Sequence, residues 1–246
     1  EEKGQSMSLE SLYPRLPVFL QHAACTYYGF REKRVRMGKA FRYHLGFLLD
    51  SVFAEKEEIE NYQNRAISQL VRYAYDNVPF YRGVMRYHGI RPQDIQGRHS
   101  LPKLPILTKE EVIGHSGELL SEAALGSRIK TIKTSGTTGT ALSFPTTEDA
   151  IAFTWAVWWR HRHRFGFRPG EWHVNFTGKP VVPVRQERPP HWRIDLARKQ
   201  IIVTGSHLVP DKIGALANYI DRTDCKFFTG YPSQIAQFCH LLESQG

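Results

Sequence analysis

The stretch IKTSGTTGTALSF, residues 132–144, sets β-type residues on both sides of a packet of Ser, Thr and Gly. A plain hairpin turn needs two or three such residues. Ser135 to Thr140 supplies six, with hydroxyls at four of them. The flanks RIKTIKT (128–134) and ALSF (141–144) read as two strands, and the packet as the loop between them. Glycines let backbone N–H groups approach a bound anion, and hydroxyls add donors, so the composition favours phosphate binding over a decorated hairpin. Two specific phosphate loops are excluded. Gly136 and Gly139 are three apart and followed by Thr140, with Lys133 ahead of the loop, so the Walker A lysine is missing. The dinucleotide fingerprint G-x-G-x-x-G also fails. The segment GHSGE (114–118) imitates a serine-hydrolase elbow but carries Glu118 where the last glycine belongs.

Working outward, Thr147 is placed to cap a helix over 148–165, with Glu148 and Asp149 in its first turn and Gly166 as its stop. Ile151, Trp155, Trp158, Arg162 and Phe165 share one face, which reads as core. EWHVNFT (171–177), KQIIVTG (199–205) and CKFFTG (225–230) read as strands; PDKIGALANYIDR (210–222) and QIAQFCHLLESQG (234–246) read as helices. RHRHRFGFR (160–168) reads as a basic helix end, with phosphate or coenzyme A contact as the alternative. Upstream, Ile59, Ala66, Ile67, Leu70, Val71 and Ala74 recur at helical spacing over 55–77, and Pro79 ends the pattern. RPQDIQGRHSLPKLP (91–105) reads as an extended connector, and Thr108 with Glu111 as a capping box. REKRVRMGKAFRYH (31–44) reads as a solvated helix or loop face. The expectation is an α/β fold: a helical N-terminal region (1–126), then a mainly parallel, incomplete α/β layer (127–246) carrying the phosphate loop.

Composition sets the outer bounds. The 246 residues are 41% hydrophobic and 12% aromatic, as in a globular chain. No apolar run approaches the roughly 20 residues of a membrane span. The first ten residues have no secretory-signal layout, and three cysteines, none spaced C-x-x-C, imply a cytoplasmic protein with neither disulfide framework nor zinc site. The net charge of +9 suits solubility or an anionic ligand such as a nucleotide; no nucleic-acid-binding signature accompanies it.

TSGTTGTALSF (134–144) closely resembles the phosphate-loop signature of the adenylate-forming enzymes. YPRLPVFLQHAACTYYGF (13–30), YAYDNVPFYRG (73–83), LPKLPILTKEEV (101–112) and TGYPSQIAQF (229–238) are similar to the branch of phenylacetate–CoA ligase and the CapK-like proteins of capsule and polysaccharide gene clusters. The resemblance implies ATP-dependent activation of a small carboxylate to an acyl-adenylate, then transfer to coenzyme A or an amine. By it, Thr134, Ser135, Gly136, Thr137, Thr138 and Gly139 hold the β- and γ-phosphates with Mg²⁺, without a protein metal site. Tyr231 and Ser233, in a turn at the end of a strand, lie near the acyl pocket. No catalytic residue, acid, acceptor or oligomeric state is assigned by it. Ala141 stands where many relatives have Pro. The family's further nucleotide-binding stretches and small C-terminal domain have no counterpart here, so the chain is expected to be an N-terminal part, inactive alone. A catalytically incomplete nucleotide-binding or scaffold module of a polysaccharide assembly system is the alternative.

Overall fold

The computed structural model describes residues 12–126, 129–134 and 141–245. In chain order its helices are α1 (Val18–Arg36), α2 (Lys39–Asp50), α3 (Lys56–Asn77), α4 (Pro79–Tyr87), α5 (Lys109–Gly114), α6 (Glu148–His163), α7 (Pro210–Asp221) and α8 (Pro232–Glu243). The strands are β1 (Ile129–Lys133), β2 (Ser143–Thr147), β3 (His173–Thr177), β4 (Trp192–Asp195), β5 (Gln200–Thr204) and β6 (Phe227–Gly230). This is an α/β fold with a helical N-terminal region, as the sequence implies. The chain divides into two compact units, Glu1–Gly38 with Trp158–Gly246, and Lys39–Val157.

In the Lys39–Val157 unit, α3 starts where the Glu58 carboxylate accepts the Glu55 N–H (3.1 Å) and ends ahead of Pro79, which opens α4. Val71 of α3, Met85 of α4 and Ile95 form its small core, with Ile67, Tyr75, Ile90 and Leu104 around them. The expected connector 91–105 is not extended. It coils into short 3₁₀ turns at Pro92–Asp94 and Arg98–Lys103, because the Asp94 and Ser100 side chains accept nearby backbone N–H groups. Thr108 and Glu111 form the expected capping box, the Thr108 N–H reaching the Glu111 carboxylate at 2.7 Å. β1 and β2 pair antiparallel, Lys133 opposite Ser143 and Ile132 opposite Phe144, so residues 134–142 join the two arms of a hairpin.

The other unit holds a four-stranded sheet in the order β4-β5-β3-β6. β3 pairs parallel with β5 and β6; β4 runs antiparallel to β5 at the edge. The three parallel strands therefore end side by side at Thr204, Thr177 and Gly230. Val174, Phe176, Ile201, Val203, Leu208, Ile213, Leu216 and Phe238 pack one face of the sheet against α7 and α8, whose first turns both carry proline. β3 buries His173, Val174 and Phe176, the near-continuous pattern of a central parallel strand.

α1 covers the exposed edge of β4. The His22 Nδ1 accepts the Ile194 N–H (3.0 Å), and the Thr26 hydroxyl donates to the Ile194 carbonyl (3.5 Å) and accepts the Leu196 N–H (3.2 Å). An edge strand's free ladder is thereby satisfied by helix side chains. Gly29 makes the approach possible: a Cβ there would sit 2.1 Å from the Asp195 carboxylate.

The aromatic face read for α6 is displaced by one residue. Trp158 is 58% exposed and Phe165 69%, whereas Trp159, Ala152 and Ala156 are buried. One residue rotates a helix face by roughly 100°, and Ala152, Ala156 and Trp159 mark the inner side. Arg162 stacks on the rings of Trp159 (4.9 Å) and Phe167 (5.4 Å), and Arg168 donates to the His163 carbonyl (2.9 Å). The basic segment thus closes a helix C-terminus.

His173 supplies a pH prediction. It is 2% exposed, its Nδ1 lies on the Glu171 carbonyl (3.2 Å), and burial pulls its pKa down to about 4. On unfolding it returns to about 6.5. Below that pH the unfolded chain takes up a proton the folded chain refuses, so stability falls as pH drops from about 6.5 to about 4 and levels off beneath. His173 should account for roughly 2–3 kcal/mol of the stability that urea titrations lose between about pH 7 and pH 4.5, with His22, His163, His191 and His207 adding loss in the same sense, and His173→Phe should remove its share.

Candidate functional site

Residues 135–140, the core of the expected phosphate loop, lie outside the described residues; Thr134 is described. Its N–H donates to the Leu142 carbonyl and its Oγ1 accepts the Leu142 N–H, both at 2.9 Å. This reciprocal pair closes the hairpin at its base, on the strand side of the loop. Among the described residues the Thr134 hydroxyl proton has no acceptor.

Tyr231 and Ser233 lie in the other unit, at the carboxyl ends of the parallel strands. Gly230 has φ 120° and a Cβ there would fall 1.9 Å from the Phe176 carbonyl oxygen, so only glycine lets β6 turn into α8 beside β3. The Tyr231 N–H then bonds that same carbonyl (3.1 Å), which aims its exposed ring across Gly178, 3.3 Å from where a Cβ would stand. Ser233, exposed, follows Pro232 in the first turn of α8, where backbone N–H groups have no helical acceptor. Gln234 lies against Gly205 at the end of β5, with its Oε1 enclosed and unbonded among the described residues. An exposed phenol ring and a Ser233 N–H with no bond among the described residues suit recognition of a small polar or aromatic molecule.

The segment 178–191 that follows β3 is clamped at this end of the sheet. Tyr13 donates to the Val181 carbonyl (2.7 Å), and burial raises its phenol pKa. His207 lies on the Pro183 carbonyl and His191 on that of Glu187, both through Nε2 at 3.1 Å. Those acceptors assign the proton to Nε2 in both rings, which stack 5.3 Å apart; burial lowers both pKa values. At the centre is Arg193, fully buried. Its Nε donates to the Gln21 Oε1 (2.8 Å), Nη2 to the Gln186 Oε1 (2.6 Å), and Nη1 to the carbonyls of Pro190 (3.0 Å) and Trp192 (2.8 Å). Sequence reading missed this group altogether. Gln21 and Arg193 are 172 residues apart, so no local spacing links them.

The fold is an α/β chain in which a hydroxyl-rich segment joins β1 to β2 in one unit, and an exposed Tyr-Pro-Ser turn stands at the carboxyl ends of parallel strands in the other. Against known proteins the chain is 28% identical over 115 residues to the phenylacetate-coenzyme A ligase of Thermus thermophilus, covering 47% of this chain and 26% of that protein. It is 18% identical over 234 residues to the protein CapK of Staphylococcus aureus, covering 95% of this chain and 50% of that protein. No family model matches. The chain therefore spans at most about half the length of these relatives. The similarity is distant and points to the adenylate-forming, ligase-like superfamily, no more finely. Among the described residues no helix is long and apolar enough to cross a membrane.

Proposed function

We propose that this chain is the pyrophosphate-gripping part of a cytoplasmic, ATP-dependent ligase that activates a small carboxylate as an acyl-adenylate and passes it to coenzyme A or an amine. The observation that carries the reading is the loop Thr134–Gly139, two glycines and four hydroxyls on a hairpin closed at its base by Thr134 and Leu142. Supporting it are the distant similarity to a phenylacetate-coenzyme A ligase and, along nearly the whole chain, to CapK. Attack of a carboxylate on the α-phosphate of ATP expels pyrophosphate. Such a displacement needs the leaving group held and its charge neutralised more than it needs a protein nucleophile.

In this reading Ser135, Thr137, Thr138 and the loop N–H groups donate to the β- and γ-phosphates, and a Mg²⁺ ion carried by the nucleotide shares their charge. Among the described residues no cluster of three His, Cys, Asp or Glu could hold a metal ion by itself. Tyr231 and Ser233 face the acyl group. In this reading, which follows the resemblance to CapK-like proteins, the activated acid serves polysaccharide or capsule synthesis.

The test is ATP–pyrophosphate exchange by the ligase carrying this chain, wild type against Thr137→Val/Thr138→Val. Each hydrogen bond to a charged group is worth roughly 1.5–3 kcal/mol, so the double variant should exchange at least a hundredfold more slowly. Exchange at the wild-type rate overturns the assignment. The 246-residue chain by itself should release no pyrophosphate in response to added acids, because in-line displacement needs the α-phosphate and the nucleophile fixed together.

A further inference from the structure

A second polar site lies on α3. Asn61, Arg65, Ser68 and Arg72 follow one another at helical spacing along one face, and with Asn64 and Gln96 they line a groove of about 490 Å³. That volume is in the range of small-molecule sites. The opposite wall is built rather than frayed. The Arg98 N–H donates to the Asn64 Oδ1 (3.1 Å), the N–H groups of Gln96 and Gly97 both donate to the Ser100 hydroxyl (3.0 and 3.2 Å), and Gly97 packs so tightly on Asn64 that a Cβ would stand 2.2 Å from its Oδ1.

The charge is one-sided. No acidic residue lines the groove, and the nearest glutamate on the helix, Glu60, pairs with Lys56 (3.8 Å). Arg65 and Arg72 are exposed and make no ion pair or hydrogen bond among the described residues. A merely solvated helix face sets acids four residues from its bases; Arg65 instead has Asn61 and Gln69 at those positions, while Asp76, four residues beyond Arg72, does not line the groove and makes no ion pair with it among the described residues. Seven residues separate the two guanidinium-bearing positions, roughly 10 Å along the axis. Each guanidinium can grip a phosphate or carboxylate with two parallel bonds. Between them stand one hydroxyl and several carboxamides, which donate and accept and so suit a polyhydroxy molecule.

We infer that this groove binds an elongated, polyhydroxy small molecule bearing an anionic group at each end, the chemistry of a doubly phosphorylated sugar. It is independent of the ligase reading and of the hairpin loop. The probe is fructose bisphosphate, phosphorylated at both ends, titrated calorimetrically into the 246-residue chain at about 0.15 M salt, where long-range charge attraction is largely screened. Fructose monophosphate should bind at least tenfold more weakly, and unphosphorylated fructose not measurably. Arg65→Gln and Arg72→Gln should each weaken the bisphosphate tenfold or more, with an unchanged circular dichroism spectrum because both side chains are exposed. Arg42→Gln, an exposed cation outside the groove, should leave affinity unaltered. Equal affinity for the mono- and bisphosphate, an equal loss from Arg42→Gln, or no binding at that salt would overturn the inference.

Discussion

Arg193→Met should lower the unfolding free energy by roughly 3–5 kcal/mol, measured by urea denaturation followed by tryptophan fluorescence. The guanidinium sits in a dry position with no carboxylate partner. Its charge is spread over the Gln21 and Gln186 amide oxygens and the carbonyls of Pro190 and Trp192. Burial pulls its pKa down, and Tyr13 and Cys25 partly restore it. Methionine keeps the stem's packing but strands the Gln21 and Gln186 amide oxygens and takes a donor from the Trp192 and Pro190 carbonyls, the latter keeping its bond from Gln186 Nε2 (2.8 Å); each buried unsatisfied group costs roughly 1–3 kcal/mol. Gln21→Leu alone should also destabilise, since it strands two donors of Arg193. The double variant should lose less than the sum, because both partners leave together. Arg168→Met, whose guanidinium is exposed at a helix end, should cost less than about 1 kcal/mol. A loss that small for Arg193 would show that the cluster does not hold the 178–191 segment in place.

That cluster also explains where the sequence was silent. β4 is four residues, Trp-Arg-Ile-Asp, and its Arg193 and Asp195 are both fully buried. Charged residues in so short a run read as loop, and only the cover supplied by α1 makes them a strand. α1 in turn buries Gln21, Cys25 and Gly29, four residues apart each time, while Phe19, Tyr27 and Phe30 face outward. Its inner face is polar and small, chosen to serve a strand edge, so no apolar period reveals the helix. Where the inner face is apolar and Pro opens the helix, as in α7 and α8, or a capping box opens it, as in α3 and α5, pattern and structure agree. In α6 both sides carry indoles, and the smaller alanines decide which side turns in.

The candidate site divides the same way. The hydroxyl packet announces itself because its chemistry is contiguous in sequence. The position of Tyr231 and Ser233 at a strand's carboxyl end was legible from the strand–turn–helix pattern. Gly178, Gly205 and Gln234 were not, because what they do depends on strand order. β5 and β6 flank β3, and that order brings together three chain segments which are separate in sequence.

Gly230→Ala follows from that geometry and should cost roughly 3–5 kcal/mol. Two penalties act together. The backbone at φ 120° is one that side chains rarely adopt, worth about 1–3 kcal/mol. The new methyl would also stand 1.9 Å from the Phe176 carbonyl oxygen, which is backbone of the central strand and has no rotamer by which to yield. β6 must therefore retreat from β3, breaking the 3.1 Å bond from the Tyr231 N–H to that carbonyl and moving the ring off Gly178. Gly166→Ala separates the two terms. It has φ 79° but open space around a Cβ, so it should show the backbone penalty alone, about 1 kcal/mol. Thermal denaturation of the two variants side by side, with amide exchange at Tyr231, makes the comparison. If Gly230→Ala melts no lower than Gly166→Ala and the Tyr231 amide stays protected, the turn is not what fixes the strand ends, and Tyr231 would owe its position to α8 alone.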